Sequence, residues 1–297
     1  MEKIVIRKFI NKKKKKDIMF LLILSVFILF ATNTYPVKNP TMIKKVHSEN
    51  IIHIPQSVLT EVKYEKVQVN SIEDIYKKRE GLFVFSHINI DLRELSAVKR
   101  KDVFVRLLLP SIEVVKTEIL NNREIVKKLK VKEKLTDREK NYAENLFKKY
   151  KTEYGDWNTL ESKMIVYPTS LILTQGAIES AWGTSRFFRE ANNAFGVWST
   201  NPNEPRIAAK GSRGDFKPHL KKYDTLKDTV EDITLIISRS DAYKNARKMI
   251  WEGKSSYEIA GGLTRYSEEG QEYVKKVRNT MRYNNFDKYD KKEAVAD

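Results

Sequence analysis

One glutamate stands in an otherwise apolar helical segment, SLILTQGAIESAWG, at residues 170–183. Trp182 and Gly183 should end this helix, so Glu179 would lie in its last turn. The negative end of the helix dipole and the apolar neighbours both disfavour a carboxylate, and both raise the pKa of Glu179. A carboxylic acid that is protonated near neutral pH can give its proton to a leaving oxygen, as glycosidic bond cleavage requires. The alternative, Glu179 bonded to backbone amides or to Arg186, stays open.

Polar and aromatic side chains close to Glu179 in the sequence could hold a sugar. Gln175 lies four residues before Glu179 and shares its helical face. In the stretch NNAFGVW, Asn193 offers an amide to hydroxyl and acetamido groups, and Phe195 and Trp198 offer flat faces to sugar rings. The competing interpretation is a loop turned by asparagine and glycine, with its aromatic residues in the core.

Tyr266 is a further candidate, because it follows a Gly-Gly pair and precedes a predicted helix whose cap could be Ser267. It is predicted to face a cleft, whereas Tyr273 is predicted to belong to the core.

The chain has no cysteine, and its four histidines show no ligand spacing. Neither a metal site nor any other cofactor is therefore predicted.

The elements that must position these residues are mainly helices. Apolar residues recur near a 3.6-residue period from Lys101 onward, and Pro110 should kink that helix or start a new one. Thr136 is a predicted N-cap, with a lysine in place of the acidic residue that would close a capping box. Residues 199–224 are rich in proline and glycine, which predicts a loop or irregular β-hairpin covering the site. Short extended segments are predicted before residue 93.

The N-terminus carries a membrane signal. A basic run with five consecutive lysines precedes an apolar run, Ile18 to Ala31. The uncharged residues through Tyr35 lengthen the predicted helix to about 27 Å. This length suits a thin bilayer, and the positive-inside rule would send the chain after Pro36 across the membrane. A cleaved signal peptide is the alternative, in which case the protein would be secreted.

The net charge of +17 suggests an acidic partner such as nucleic acid, anionic lipid or an anionic cell-wall polymer. Export makes nucleic acid the least suitable of these. The predicted location is the cell membrane, crossed once, with the working domain outside the cytoplasm and the lipid bilayer contacted through the N-terminal helix. Oligomeric state is left undetermined.

Two motifs carry a resemblance to a known family. QGAIESAWGTSRFFREANNAFG and LTRYSEEGQEYVKKVRNTM resemble the glucosaminidase family of peptidoglycan hydrolases, glycoside hydrolase family 73, and in particular its Bax-like branch. The segment LFVFSHINIDLRELSAVKRKDVFVRLLLPSI resembles that branch's N-terminal extension. The resemblance covers roughly residues 82–285.

The resemblance implies a lysozyme-like, mainly α fold with a small β-hairpin lobe. It implies that Glu179 is the general acid and that Tyr266 lines the cleft. It also implies a substrate groove at the matching motif positions, which adds Gly196 to the predicted sugar-binding residues. The full predicted set is Gln175, Trp182, Asn193, Phe195, Gly196 and Trp198.

The hairpin region departs from the family pattern. Many members supply a second acidic residue there, but this chain has Arg213-Gly214 where relatives of the branch tend to have Glu-Gly. Glu204 and Asp215 are the candidates for the second catalytic group. Retention, inversion and attack by the substrate's own acetamido group all stay open.

The resemblance implies an endo-β-N-acetylglucosaminidase that hydrolyses the β-1,4 bond after N-acetylglucosamine in peptidoglycan glycan strands. A non-catalytic peptidoglycan-binding or scaffold protein is one alternative, and a muramidase or lytic transglycosylase is another. The predicted order is a cytoplasmic basic segment (1–17), a transmembrane helix or signal sequence (18–35), an extracytoplasmic tether (36–80), a helical N-terminal extension (81–155), the catalytic domain (156–286) and a disordered tail (287–297).

Overall fold

The computed structural model describes residues 59–209 and 218–290. They form a mainly helical body with two small two-stranded sheets, which confirms the predicted mainly α fold with a small β component for this part of the chain. The predicted membrane or signal segment, residues 18–35, lies outside the described residues. Within the described ranges, no helix combines the length and apolar character that spanning a bilayer requires.

Ten α-helices and four strands make up the described body. In chain order they are β1 (Glu65–Val69), α1 (Ile72–Tyr76), β2 (Phe83–Ile88), α2 (Ala97–Lys130), α3 (Asp137–Lys149), α4 (Trp157–Lys163), α5 (Thr169–Glu179), α6 (Arg186–Ala191), β3 (Arg206–Ala208), β4 (His219–Lys221), α7 (Leu226–Arg239), α8 (Lys244–Trp251), α9 (Ser256–Ile259) and α10 (Gln271–Tyr283).

The first sheet joins the start of the described chain to the helical body. β1 and β2 pair in parallel, with Glu65 opposite Phe83 and Val69 opposite Ile88. Val69 is fully buried, and Ile75 of α1 is buried as well. The folded body therefore includes residues 65–76, which lie inside the stretch predicted as a tether.

Helix α2 is the longest element, with 34 residues, and at ~1.5 Å per residue it extends about 50 Å. Ser96 caps its start by accepting a hydrogen bond from the Lys99 backbone N–H. The helix runs through Pro110 without ending there, contrary to the prediction of a possible second helix. Leu108 and Ile112, on either side of Pro110, are buried, and such burial stabilises by roughly 1.5–3 kcal/mol per side chain. This offsets the ~3 kcal/mol that an internal proline costs.

The start of helix α3 corrects a prediction about its cap. Thr136 is the N-cap, as predicted, but the capping box is closed by Glu139 and not left open by a lysine. The carboxylate of Glu139 accepts from the Thr136 backbone N–H at 3.0 Å. The first helical residue is Asp137, so the third helical position, where a capping box needs its acid, falls on Glu139.

Helix α5 forms the centre of the body. All residues from Thr169 to Ala177 are buried, because the helix packs against α2, α10 and a final 3₁₀ turn at Phe286–Tyr289. Asp290 caps the start of α5 by accepting from the Ser170 backbone N–H at 2.9 Å. The folded body thus extends to Asp290, a few residues into the predicted tail. A helix that is apolar on every side is expected at such a position.

The predicted hairpin region contains the second sheet. β3 and β4 are antiparallel, with Ile207 opposite Leu220, and Trp198 adds a bridge to Leu220 on the same strand. The sheet leads into α7, which Thr225 and Asp228 begin with a capping box. This small sheet confirms the predicted β-hairpin lobe.

Candidate active site

Glu179 is the last residue of the buried helix α5, as the sequence predicts. Ser180 is the C-cap, and the Glu179 side chain is half-buried at the edge of the core. The eight residues before Ile178 are all buried. Glu179 therefore marks the point at which this apolar helix leaves the core. Glu179 is thus a partly buried residue at the end of a helix that is otherwise almost entirely buried.

A tight turn holds the end of helix α5 in place. Ala181, Trp182 and Gly183 all have positive φ angles, a conformation that is unfavourable for the first two. The Ser180 hydroxyl accepts a hydrogen bond from the Gly183 N–H at 2.9 Å. The Trp182 N–H returns to the Ala177 carbonyl at 2.9 Å. These bonds satisfy groups at the helix end that would otherwise lack partners.

The indole of Trp182 packs against two other aromatic rings. Its ring lies 5.8 Å from the ring of Phe104 and 6.0 Å from that of Phe286, measured between centroids. The Lys101 ammonium lies 4.7 Å from the Trp182 ring. These contacts anchor the turn to α2 and to the last 3₁₀ turn, and the role of Trp182 in sugar binding stays a prediction.

The carboxylate of Glu179 is held by a tyrosine. The Tyr273 hydroxyl of helix α10 donates to Glu179 Oε1 at 2.9 Å. No Lys or Arg of residues 59–209 and 218–290 forms an ion pair with Glu179; Arg186 pairs with Glu190 at 3.0 Å. The alternative of a salt link to Arg186 is therefore wrong for the described structure.

The environment of Glu179 favours its protonated form. Burial raises the pKa of Glu179 from 4.5 to about 7. The Tyr273 hydrogen bond and the Lys276 charge act in the opposite direction and lower it, while Glu269 raises it. Lys276 is itself paired with Glu269 at 2.9 Å, which limits its effect on Glu179. Removal from water is thus the main cause, as in other acids that act near neutral pH.

Three tyrosines form a layer beside Glu179. The rings of Tyr266 and Tyr273 stack with centroids 5.1 Å apart and an interplanar angle of 21°. Tyr243 lies 6.4 Å from Tyr266 between centroids. Burial first, and then the nearby Glu179 charge, raise the pKa of both Tyr266 and Tyr273. Both phenols therefore remain hydrogen-bond donors at neutral pH, and Tyr266 is half-buried whereas Tyr273 is buried.

Gln175 lies beneath Glu179, one helical turn earlier. Its Oε1 accepts from the Tyr167 hydroxyl at 2.6 Å, and the residue is fully buried. Its amide nitrogen has no hydrogen-bond partner among the described residues. The observed contact links α5 to the segment before it, and a direct role of Gln175 in substrate binding stays a prediction.

The NNAFGVW segment forms the loop that leads to the hairpin. Asn193 is buried, and its amide donates to the carbonyls of Val197 at 3.0 Å and Lys221 at 2.9 Å. Asn193 Oδ1 accepts from the Val197 N–H at 3.0 Å. This side chain therefore ties the loop to β4, which agrees with the competing interpretation of a turned loop.

The aromatic residues and the glycine of this loop divide between core and surface. Phe195 is buried beside Gly176, whereas Trp198 is half-buried at the hairpin. Gly196 has φ +66°, and a Cβ built on it would meet no atom within 4 Å. Open space above Gly196 is compatible with a groove, and the three predicted sugar contacts remain predictions.

Asn193→Ala should lower the free energy of unfolding by roughly 1–3 kcal/mol, because the Lys221 carbonyl and the Val197 N–H lose this partner and the Val197 carbonyl keeps only the bond from the Lys221 N–H. Urea denaturation followed by circular dichroism measures the change. Asn203→Ala is a control, since Asn203 is exposed and the contact that involves it uses only its backbone N–H. An Asn193 variant as stable as wild type would contradict the structural role.

The candidates for a second acid are not brought to Glu179 by any described contact. Glu204 is half-buried and lies 3.8 Å from the Lys221 ammonium. Lys221 is bound more closely to Asp232, at 2.7 Å, and Asp232 also accepts from Tyr223 at 2.8 Å. Asp215 lies outside the described residues. The identity of the second catalytic group stays a prediction.

Two residues of this site were not expected from the sequence. Tyr273 was predicted to belong to the core, and it is buried, but its hydroxyl reaches the Glu179 carboxylate. Asp232 organises the base of the hairpin through Lys221 and Tyr223. Tyr273 is the third residue of α10 and lies within its first turn, and this position is the available sequence signal. Among the described residues, no cluster of His, Cys, Asp or Glu could hold a metal ion.

A family model matches this part of the chain. Residues 154–286 match the family described as "Mannosyl-glycoprotein endo-beta-N-acetylglucosaminidase", the glucosaminidase family. The match includes Glu179, the tyrosine layer and the hairpin, and it excludes the whole of the long helix α2.

Two curated proteins are similar in sequence. Protein bax of Escherichia coli (strain K12) is 27% identical over 165 residues, which cover 53% of this chain and 58% of that protein. Exo-glucosaminidase LytG of Bacillus subtilis (strain 168) is 27% identical over 143 residues, covering 46% of this chain and 50% of LytG. The chain thus spans about half the length of the curated relatives it matches.

Two solved structures also align with the chain. The catalytic domain of the autolysin Auto from Listeria monocytogenes is 17% identical with a TM-score of 0.36, covering 58% of this chain and 97% of that domain. The glycoside hydrolase domain of FlgJ from Salmonella typhimurium is 21% identical with a TM-score of 0.34, covering 49% and 96%. Residues 154–286 thus match the glucosaminidase family model, and the chain is similar in sequence to the two curated relatives.

Proposed function

We propose that this protein is a peptidoglycan hydrolase that cleaves the β-1,4 bond after N-acetylglucosamine in glycan strands, with Glu179 as the general acid. The observation that carries the proposal is the half-buried Glu179, whose pKa of about 7 leaves a large protonated fraction at neutral pH. The match of residues 154–286 to the glucosaminidase family model supports the choice of substrate.

The contacts of Glu179 suggest how the proton is presented. Tyr273 donates to Oε1, so the transferable proton is carried by Oε2. In the proposed step this proton moves to the glycosidic oxygen while the bond from that oxygen to the anomeric carbon breaks. The bonding electrons leave with the oxygen, and the sugar becomes an oxocarbenium-like species that water finally quenches. Tyr273 acts here as a positioning residue.

Experiment must identify the group that stabilises the positive charge on the reacting sugar. A protein carboxylate about 5 Å from Glu179 would give retention of configuration, whereas a wider separation would give inversion by water. Attack by the substrate's own acetamido oxygen also gives retention and needs no second carboxylate. Asp215 and Glu204 are the proposed protein candidates. NMR of the freshly released anomer separates inversion from the two retaining routes.

The location of the protein is also part of the proposal. The predicted membrane or signal segment at residues 18–35 would anchor the chain in the membrane or direct its secretion, with the hydrolase domain outside the cytoplasm. Protease added to intact protoplasts should remove the domain from an anchored chain. Protection from the protease, without secretion into the medium, would contradict this location.

The deciding experiment is product analysis. The purified protein is incubated with peptidoglycan, and mass spectrometry identifies the sugar at each new reducing end. The proposal predicts N-acetylglucosamine. Reducing-end N-acetylmuramic acid would indicate a muramidase, and its 1,6-anhydro form a lytic transglycosylase. Binding to peptidoglycan without any new ends would indicate a non-catalytic scaffold.

Tyr273→Phe should move the alkaline limb of the pH–rate profile to higher pH. The hydrogen bond from Tyr273 stabilises the ionised carboxylate and lowers the pKa of Glu179. Without it, that pKa rises and the acid stays protonated to higher pH. The measurement is kcat/KM against pH for both proteins. A limb that moves to lower pH, or stays in place, would contradict the proposed coupling.

A further inference from the structure

A groove lies between the long helix and the glucosaminidase domain. Arg123 and Lys127 of α2 line one side, Glu161 and Ser162 of α4 the other, and Trp251 of α8 completes it. Its volume of about 340 Å³ is at the lower end of the range for small-ligand pockets. None of these residues contacts Glu179 or the tyrosine layer in the described structure.

Trp251 forms a fixed aromatic surface in this groove. Its side chain is 46% exposed, the most of any tryptophan among the described residues. The indole N–H donates to the Ser162 carbonyl at 2.8 Å, and the Arg123 guanidinium lies 4.3 Å from the ring centroid. The ring is thus oriented before any ligand arrives, which reduces the entropy lost on binding.

Arg123 brings hydrogen-bond donors that the chain leaves unused. Its guanidinium is half-buried, yet no acceptor within residues 59–209 and 218–290 forms a hydrogen bond or ion pair with it. A guanidinium has five N–H donors, and leaving such a group partly desolvated without acceptors is unfavourable. The groove therefore offers donors directed at a ligand.

The other charges of the groove are already balanced. Lys127 pairs with Glu124 at 2.8 Å, and Lys130 pairs with Glu161 Oε2 at 2.7 Å. Glu161 Oε1 has no recorded hydrogen bond and can accept one from a hydroxyl. Glu124 and Glu161 also attract the Arg123 charge, so these paired groups fit a ligand with both donors and acceptors better than a polyanion.

We propose that this groove is a second saccharide-binding site, which holds an N-acetylated sugar of a glycan strand away from the catalytic residues. A pyranose ring would pack its C–H face on the part of Trp251 that Arg123 leaves exposed, while an acetamido or hydroxyl oxygen accepts from Arg123 and a hydroxyl donates to Glu161. The site rests on the proposed function for the identity of the polymer. Its role is retention of the protein on peptidoglycan between cleavage events.

Retention is tested with full-length protein carrying Glu179→Gln, so that the polymer is not digested. Sedimentation with purified peptidoglycan sacculi gives the Kd, and Trp251→Ala and Arg123→Met should each raise it about tenfold. Matched controls are Tyr154→Ala, at a tyrosine that is 48% exposed, and Arg138→Met, at an exposed arginine of α3; both should leave the Kd unchanged. Thermal melting checks that each variant is folded. If Trp251→Ala does not fold, the result for Arg123→Met decides the test.

The outcomes separate this inference from the proposed function. Weaker retention in both groove variants, with cleavage of short soluble glycan fragments unchanged in an otherwise wild-type chain, supports the second site. Unchanged retention in both, or an equal loss in the controls, overturns it even when wild type releases reducing ends. Specific loss of retention in a protein that releases no reducing ends would keep the site and refute the hydrolase.

Discussion

Glu179→Gln should lower the rate of glycan cleavage by about 10²–10⁴-fold, the contribution typical of a positioned general acid. Glutamine has nearly the same shape, and its amide oxygen can still accept from Tyr273, so the fold should persist. It has no acidic proton for the leaving oxygen near neutral pH. The measurement is the release of reducing ends from peptidoglycan, with circular dichroism to verify folding.

A matched control for this substitution is Glu190→Gln. Glu190 is an exposed acid of helix α6 that pairs with Arg186 at 3.0 Å, and it should tolerate the change with activity within about twofold of wild type, as expected for an exposed ion pair. Equal activity of wild type and the Glu179 variant would exclude Glu179 as the proton donor. Equal loss in both variants would point to a general effect on substrate binding.

Gly183→Ala should destabilise the protein by roughly 2–5 kcal/mol, the second large effect. Gly183 has φ +77°, and a Cβ there would approach Leu92 Cδ2 to 2.7 Å, Phe188 to 3.1 Å and Phe104 to 3.2 Å. The left-handed backbone and the crowded core both oppose a side chain. Because Gly183 belongs to the turn after Glu179, activity should fall together with stability. Chemical denaturation provides the measurement.

Gly253→Ala separates the two causes. Gly253 has φ +65°, close to that of Gly183, but a Cβ there would meet nothing within 4 Å. Gly253→Ala should therefore lower the free energy of unfolding only by the cost of a left-handed backbone for alanine, about 1–2 kcal/mol. Equal losses at both positions would show that crowding around Gly183 is relieved by small movements of Leu92.

The position of Glu179 could be predicted because it depends on local sequence. Apolar residues on every side of a helix require burial, and Trp182-Gly183 marks its end, so the carboxylate must emerge where the helix stops. Burial as the cause of its raised pKa follows from the same pattern. The family motif then identifies which reaction such an acid serves.

The partner of Glu179 could not be predicted in the same way. Tyr273 lies 94 residues later in the chain, and only the packing of α10 against α5 brings its hydroxyl to the carboxylate. From periodicity alone, a tyrosine on the buried face of a helix reads as core, and Tyr273 is indeed 1% exposed. The sequence does not reveal the direction of its hydroxyl.

Long-range pairing also explains the other differences. β1 pairs in parallel with β2, so Val67 and Val69 join the core although their own segment is mostly polar. Asn193 was predicted to hold sugar groups, but its amide binds the Val197 backbone of its own loop and the Lys221 carbonyl, which the approach of β4 brings within reach. An amide suits both roles chemically, and only the fold shows which backbone groups lie within its reach.

The most direct test of the central claim is the titration of Glu179 itself. Carbon-13 NMR of the folded protein labelled at glutamate carboxyl carbons gives one curve per residue, and the signal missing in Glu179→Gln identifies the curve of Glu179. The account predicts a pKa of about 7. A pKa at or below the ordinary glutamate value of 4.5 would mean that the carboxyl is ionised at neutral pH, and this would contradict its role as the proton donor.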